Sequence, residues 1–199
     1  ATVAFVANAT TFQGSTLAGG AGGIGLENAA DNGSILALDP NDYPIVNGPY
    51  FNGSTDPASA WVWAAPESPM LSQALRFVFR FTLTAQEAAS ATLSGLWGVD
   101  NEGIVALNGS IIDQLAGDVS SSFAQLHTLS AGSSLFHAGE NVLSFDVNNI
   151  GGDPSYWNPA ALRASVTVVA PVPVPAALPL LGGAVMVLGF VGSRRKRSA

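Results

Sequence analysis

Arg76-Phe77-Val78-Phe79-Arg80-Phe81-Thr82-Leu83 places an apolar side chain at every second position. Phe77, Phe79, Phe81 and Leu83 fall on one side of an extended chain, and Arg76, Arg80 and Thr82 fall on the other. That alternation is the signature of a half-buried strand. Asn141 to Asn148 repeats it, with Leu143, Phe145 and Val147 inward and Ser144, Asp146 and Asn148 outward. Leu162 to Val169 repeats it again, with Leu162, Ala164, Val166 and Val168 on one face. Ala91 to Val99, Ile104 to Leu107 and Phe123 to Leu129 read as further strands, and Ala85 to Ser90 as one helical turn. Asn32-Gly33, Asn47-Gly48, Asn52-Gly53 and Asn108-Gly109 are hairpin-type turn signals between them. Many short strands and no long amphipathic helix predict an all-β domain over residues 1–170, an antiparallel β-sandwich or jelly roll. Its first fifty residues are Gly-rich, and Gly19 to Gly23 reads as loop.

Composition narrows the function. All 14 acidic residues precede residue 171, opposed there by Arg76, Arg80 and Arg163 alone, so fourteen against three leaves a net charge near −11. Such a surface repels nucleic acid and anionic lipid, and neither is expected as a partner. It suits an exported soluble domain, and it attracts divalent cations. With no cysteine in the chain, disulfides, thiolate zinc sites and Cys nucleophiles are excluded.

Asp100, Asn101 and Glu102 form a polar run between apolar strands. Hard cations favour clustered carboxylate and amide oxygens, so the run is a candidate Ca2+ site. Its spacing is not that of an EF-hand loop, and a plain turn is the competing reading. Trp61, Trp63, Trp97, Tyr156 and Trp157 are candidates for stacking on sugar rings. Trp61 and Trp63 share a strand face by the two-residue period, whereas Trp97 reads as core. Trp157 sits in the polar stretch Gly151-Gly-Asp-Pro-Ser-Tyr-Trp-Asn158, so Trp157, Asn148, Asn149 and Asp153 form a candidate ligand cleft. His127 and His137 lie in separate elements. Gly-x-Ser-x-Gly and His-Glu-x-x-His are both absent, and nothing selects a catalytic carboxylate pair. A non-catalytic protein is therefore expected, with a carbohydrate-active hydrolase the minor alternative.

The C-terminus carries a second signal. Pro171 to Pro175 reads as a stiff linker (171–175), followed by a charge-free segment (176–192) and a basic tail (193–199). Arg194, Arg195, Lys196 and Arg197 hold four of the seven basic groups, and such a cluster stays cytoplasmic. Seventeen helical residues reach roughly 25 Å against a hydrocarbon core of about 30 Å. A transmembrane helix this short fits a sorting signal or a tail anchor.

Val172-Pro173-Val174-Pro175-Ala176, the apolar run and the Arg cluster resemble the PEP-CTERM sorting signals of Gram-negative bacteria, closest to the VPLPA variant. The resemblance covers about residues 171–197. It implies an exosortase-type membrane transpeptidase as partner, transient residence in the inner membrane, and delivery to the cell surface or extracellular matrix. Export in turn calls for a leader ahead of Ala1.

Three further blocks resemble galactose-binding-like jelly-roll domains of exported bacterial proteins. The first is Ala60-Trp-Val-Trp63 with the Phe77 strand. The second is Gly98-Val-Asp-Asn-Glu-Gly103 with Val105-Ala-Leu-Asn-Gly109. The third is Phe136 to Phe145 with Val147-Asn-Asn149 and Asn158 to Arg163. The resemblance covers about residues 35–169 and implies a fold more than a ligand. The expectation is a surface or matrix protein that binds carbohydrate such as an exopolysaccharide. Its rival is a structural protein that self-associates.

Overall fold

The alternation that opened the reading holds in three dimensions. Phe77, Phe79, Phe81 and Leu83 are buried, and Arg76, Arg80 and Thr82 face solvent. A computed structural model describes residues 9–17, 20–27, 35–37, 50–51, 59–64, 73–116, 121–150 and 159–171. In chain order these hold β1 (Ala9–Thr16), β2 (Gly23–Leu26), β3 (Ile35–Ala37), β4 (Val62–Ala64), β5 (Gln73–Leu83) and α1 (Ala85–Ala88). There follow β6 (Thr92–Asp100), β7 (Glu102–Leu107), β8 (Ser110–Leu115), α2 (Ser121–Ala124), β9 (His127–Ala131), β10 (Gly139–Asn149) and β11 (Ala161–Pro171).

The strands form one mixed sheet that falls into two halves. In the first half β11 pairs with β1, β4 and β6, and β3 and β9 extend it through β4 and β6. In the second, the order is β5-β10-β7-β8. The two halves face each other across one apolar core. Phe12 meets Phe81 at 5.5 Å, Trp63 meets Phe77 at 6.0 Å, and Trp97 meets Phe145 at 6.2 Å between ring centroids. Tilted aromatic pairs at these separations are favourable beyond the area they bury.

The sheet departs from the expected all-antiparallel pattern at β2. This strand runs parallel to β1 and antiparallel to β5, and so joins the halves. The glycine run read as loop makes the junction. The Ser15 amide donates to the Gly22 carbonyl at 2.6 Å. A Cβ on Gly22 would lie 2.2 Å from the Ser15 carbonyl oxygen, so only glycine admits the approach.

The Asn108-Gly109 turn joins β7 to β8 with φ of 52° and 81°, as a two-residue hairpin requires. Ala85–Ala88 is the expected helical turn, closed by a capping box between Thr84 and Glu87. The strand expected over Phe123 to Leu129 is corrected. A helical turn occupies Ser121–Ala124, and the strand is His127–Ala131. Phe123 is drawn out of any ladder because its carbonyl accepts the Phe51 amide at 2.7 Å and its ring packs on Tyr50 at 5.5 Å.

Pro171, read as the first linker residue, is the last residue of β11 and lies opposite Ala9. The sorting motif Val172 to Ala176, the 176–192 segment and the Arg194 to Arg197 cluster lie outside the described residues. Among the described residues no helix is long and apolar enough to cross a membrane.

Candidate functional site

The open face of the second half-sheet carries a cleft of about 360 Å³. Register builds it from two rows across the strands. One row is Arg76, Asp146, Ile104 and Gln114, directly opposite one another on β5, β10, β7 and β8. The next is Ala74, Asn148 and Glu102. At about 4.8 Å between strands, four strands span roughly 14 Å. All seven residues line the cleft.

The polar groups are held in fixed poses. Arg76 grips Asp146 through Nε at 2.5 Å and Nη2 at 3.2 Å, a bidentate fork. Its Nη1 faces Glu27 at 3.6 Å. The hydrogen bond to Asp146, reinforced by that carboxylate's charge, raises the Arg76 pKa above its ordinary value. The Asn148 amide donates to Glu102 Oε1 at 2.7 Å. Beside the cleft, Arg80 bridges Glu140 at 3.0 Å and Glu27 at 3.3 Å. The face is thus a lattice of paired charges and amides around Ile104.

A second polar cluster lies on the outer side of the other half-sheet, under cover. Tyr50, Trp61 and Ala161 are buried together there, with Phe51, Phe123 and Leu126 against them. Asp100, 4% exposed, accepts the Tyr50 hydroxyl at 2.6 Å through Oδ2, while its buried Oδ1 has no hydrogen-bond partner. Burial pushes the Asp100 carboxyl up to about 6, and the Tyr50 bond offsets part of that rise. Arg163, 8% exposed, donates from Nε to Ser59 Oγ at 3.0 Å and sits 5.7 Å from the centre of the Phe51 ring.

The residues singled out in the sequence scatter over both places. Asn148 and Glu102 come together in the cleft, although they were assigned to different sites. Asn149 is fully buried and turns away from it. Asp100 enters the covered cluster, and Asn101 Oδ1 accepts the Ile150 amide at 2.9 Å. The run proposed for Ca2+ therefore sends its three side chains to three places. Among the described residues no three His, Asp or Glu side chains converge as a metal site would require.

Trp61 and Trp63 do not form a stacking platform. Both are 2% exposed, and they belong to different clusters. Trp97 is core, as read, and its Nε1 donates to Asp113 Oδ2 at 2.6 Å. Trp157, Tyr156 and Asp153 lie outside the described residues. Sequence reasoning placed Arg76 and Asp146 on outward faces but missed their pairing, and it missed Gln114 and Ile104 as lining.

No family model matches the chain, and no curated protein matches it. Among solved structures, the chain is similar to a family 35 carbohydrate binding module from an environmental isolate. Identity is 14% over 58% of this chain and 80% of that one, with a TM-score of 0.32. It is also similar to a β-glucuronidase of an uncultured Clostridium sp., at 11% identity over 85% of this chain, with a TM-score of 0.39. A β-glucuronidase from glycoside hydrolase family 2 is 13% identical over 84% of this chain, with a TM-score of 0.41. The chain spans 30% and 18% of the two enzymes' own lengths.

Proposed function

We propose that this chain is an exported, non-catalytic glycan-binding protein with a galactose-binding-like jelly roll, delivered to the cell surface or matrix by its C-terminal signal. One observation carries the binding: an open cleft lined by a guanidinium, two carboxylates and two amides around an apolar centre. Sugars present hydroxyls in the ring plane and C–H groups above it. Planar polar side chains in fixed poses suit the first, and Ile104 suits the second. A binding role is also supported by the engagement of both cleft carboxylates, Asp146 with Arg76 and Glu102 with Asn148. The order of parts in the tail supports sorting by an exosortase-type enzyme.

The test of binding is a glycan array followed by calorimetry. Saturable affinity for a polysaccharide is expected, lost in Asn148→Ala with Glu102→Ala. Failure of every glycan to bind an intact, folded protein would overturn the reading. For sorting, replacing Arg194 to Arg197 by Ser, or Pro173 and Pro175 by Ala, is expected to leave unprocessed or mislocalised precursor. Normal surface delivery of both variants would contradict it.

One observation favours the rival, a self-associating structural protein. The outer face of β1, β6, β9 and the C-terminal half of β11 presents Thr11, Gln13, Thr92, Ser94, Ser130 and Thr167. Among the described residues no charge interrupts this patch, so two acidic copies meet least repulsion there. Oligomers that grow with concentration and ignore sugars would decide for that reading.

A further inference from the structure

We infer that the cleft selects glycans whose sugars are neutral or carry an ammonium group, and turns away uronates; this rests on the glycan-binding reading above. Arg76 is the only cation among the described lining residues. A sugar carboxylate is recognised best by a free guanidinium fork. Here that fork is taken. Nε and Nη2 hold Asp146, and Nη1 faces Glu27 at 3.6 Å. A uronate would have to displace Asp146 and then sit beside the carboxylate it displaced. The lining adds Glu102, so two carboxylates face one guanidinium.

An ammonium or amide meets the opposite situation. Glu102 lines the cleft and gives Oε1 to Asn148, which leaves its second oxygen as an acceptor for an incoming donor. Gln114 lies across Ile104 from Asp146 in the same row, and its side chain is exposed. It offers both a donor and an acceptor to hydroxyl or acetamide groups. Like-charge juxtaposition is how binding surfaces exclude wrong partners, and this cleft has that device built in.

The experiment is calorimetry on the intact protein with three oligosaccharides of equal length, one bearing acetamides, one free amines and one carboxylates. The uronate is expected to bind at least about tenfold more weakly than the other two. Asp146→Asn releases Arg76 and should narrow that gap, whereas Glu102→Gln should remove any advantage of amine over acetamide. Should Asp146→Asn lower the melting temperature, Arg76→Gln serves instead. With the cation gone, discrimination against uronates must persist or grow. Equal affinity for uronate and neutral sugars would overturn the charge rule while leaving glycan binding intact. If none of the three bound while the array yielded a ligand, the charge rule would fall alone; if the array yielded none either, the glycan-binding reading would fall, and the inference with it.

Discussion

Asp100 and Glu102 are two residues apart and end in unlike surroundings. Asp100 closes β6 in one half-sheet and is buried, its carboxylate bonded to Tyr50 of the covered cluster. Glu102 opens β7 in the other half and lines an open cleft. The chain crosses between half-sheets at Asn101, so three neighbouring polar residues never act as one cluster. Each half-sheet has an outer face. One of them is partly roofed by the covered cluster, and the other is left open and ion-paired. Polar residues under the roof bear on stability. Those in the cleft are free to serve recognition, because water already solvates them and little folding energy depends on them.

Substitutions on the two faces separate stability from recognition. The largest effect is expected under the roof. Trp61→Ala removes a buried indole and its 3.0 Å bond to the Phe51 carbonyl. It should cost about 3–5 kcal/mol in chemical denaturation. A loss below about 1 kcal/mol would mean that the covered cluster is not a folding unit.

Asp100→Asn comes next, with the opposite sign. The folded-state pKa of Asp100 is about 6, above its ordinary 3.8, so the folded state holds this proton more tightly. Stability from this group is full below the unfolded value and falls as pH rises through about 4 to 6. The Asn variant keeps an acceptor for Tyr50 and removes the buried charge. Because the amide N–H that replaces the unpartnered Oδ1 costs the same at every pH, the pH-dependent part is the test: relative to wild type, the variant should gain about 2–3 kcal/mol between pH 4 and pH 7. A gain that does not depend on pH would refute burial of an ionised Asp100.

In the cleft, Glu102→Ala with Asn148→Ala should change stability by less than about 1 kcal/mol yet abolish glycan binding. The smallest effect belongs to Arg80→Ala. Its pairs with Glu27 and Glu140 are solvent-exposed, so about 0.5 kcal/mol is expected, shrinking in high salt. Glycan affinity should not move.

The sequence was most legible where one strand buries one face. In β5, β10 and β11 the two-residue period named the inward residues, because a hydrophobic core fixes strand register. It was least legible where distant segments meet. Tyr50, Trp61 and Phe123 form a cluster that no local period announces, and Phe123 was misread as strand for that reason. The strand β1 is hidden too, since its inward face reads Thr10, Phe12, Gly14 and Thr16, without a strong apolar stripe. Arg163 reads as an outward residue of β11, and it is outward, but the covered cluster closes over it.

The cleft was half legible. Asn148 and Glu102 were chosen for their chemistry and assigned to separate sites, because register between β10 and β7 is a long-range property. The Arg76–Asp146 fork joins residues 70 apart in the chain. Outward alternation marked both residues as exposed without marking them as partners.

The most direct test is an amide chemical-shift titration of the folded domain with a bound glycan. The expected shifts centre on Asn148, Glu102, Ile104 and Gln114, with Tyr50, Asp100 and the face around Ser94 and Thr167 unmoved. Saturable shifts confined to that hydroxyl face, or to the covered cluster, would contradict the cleft as the site of recognition.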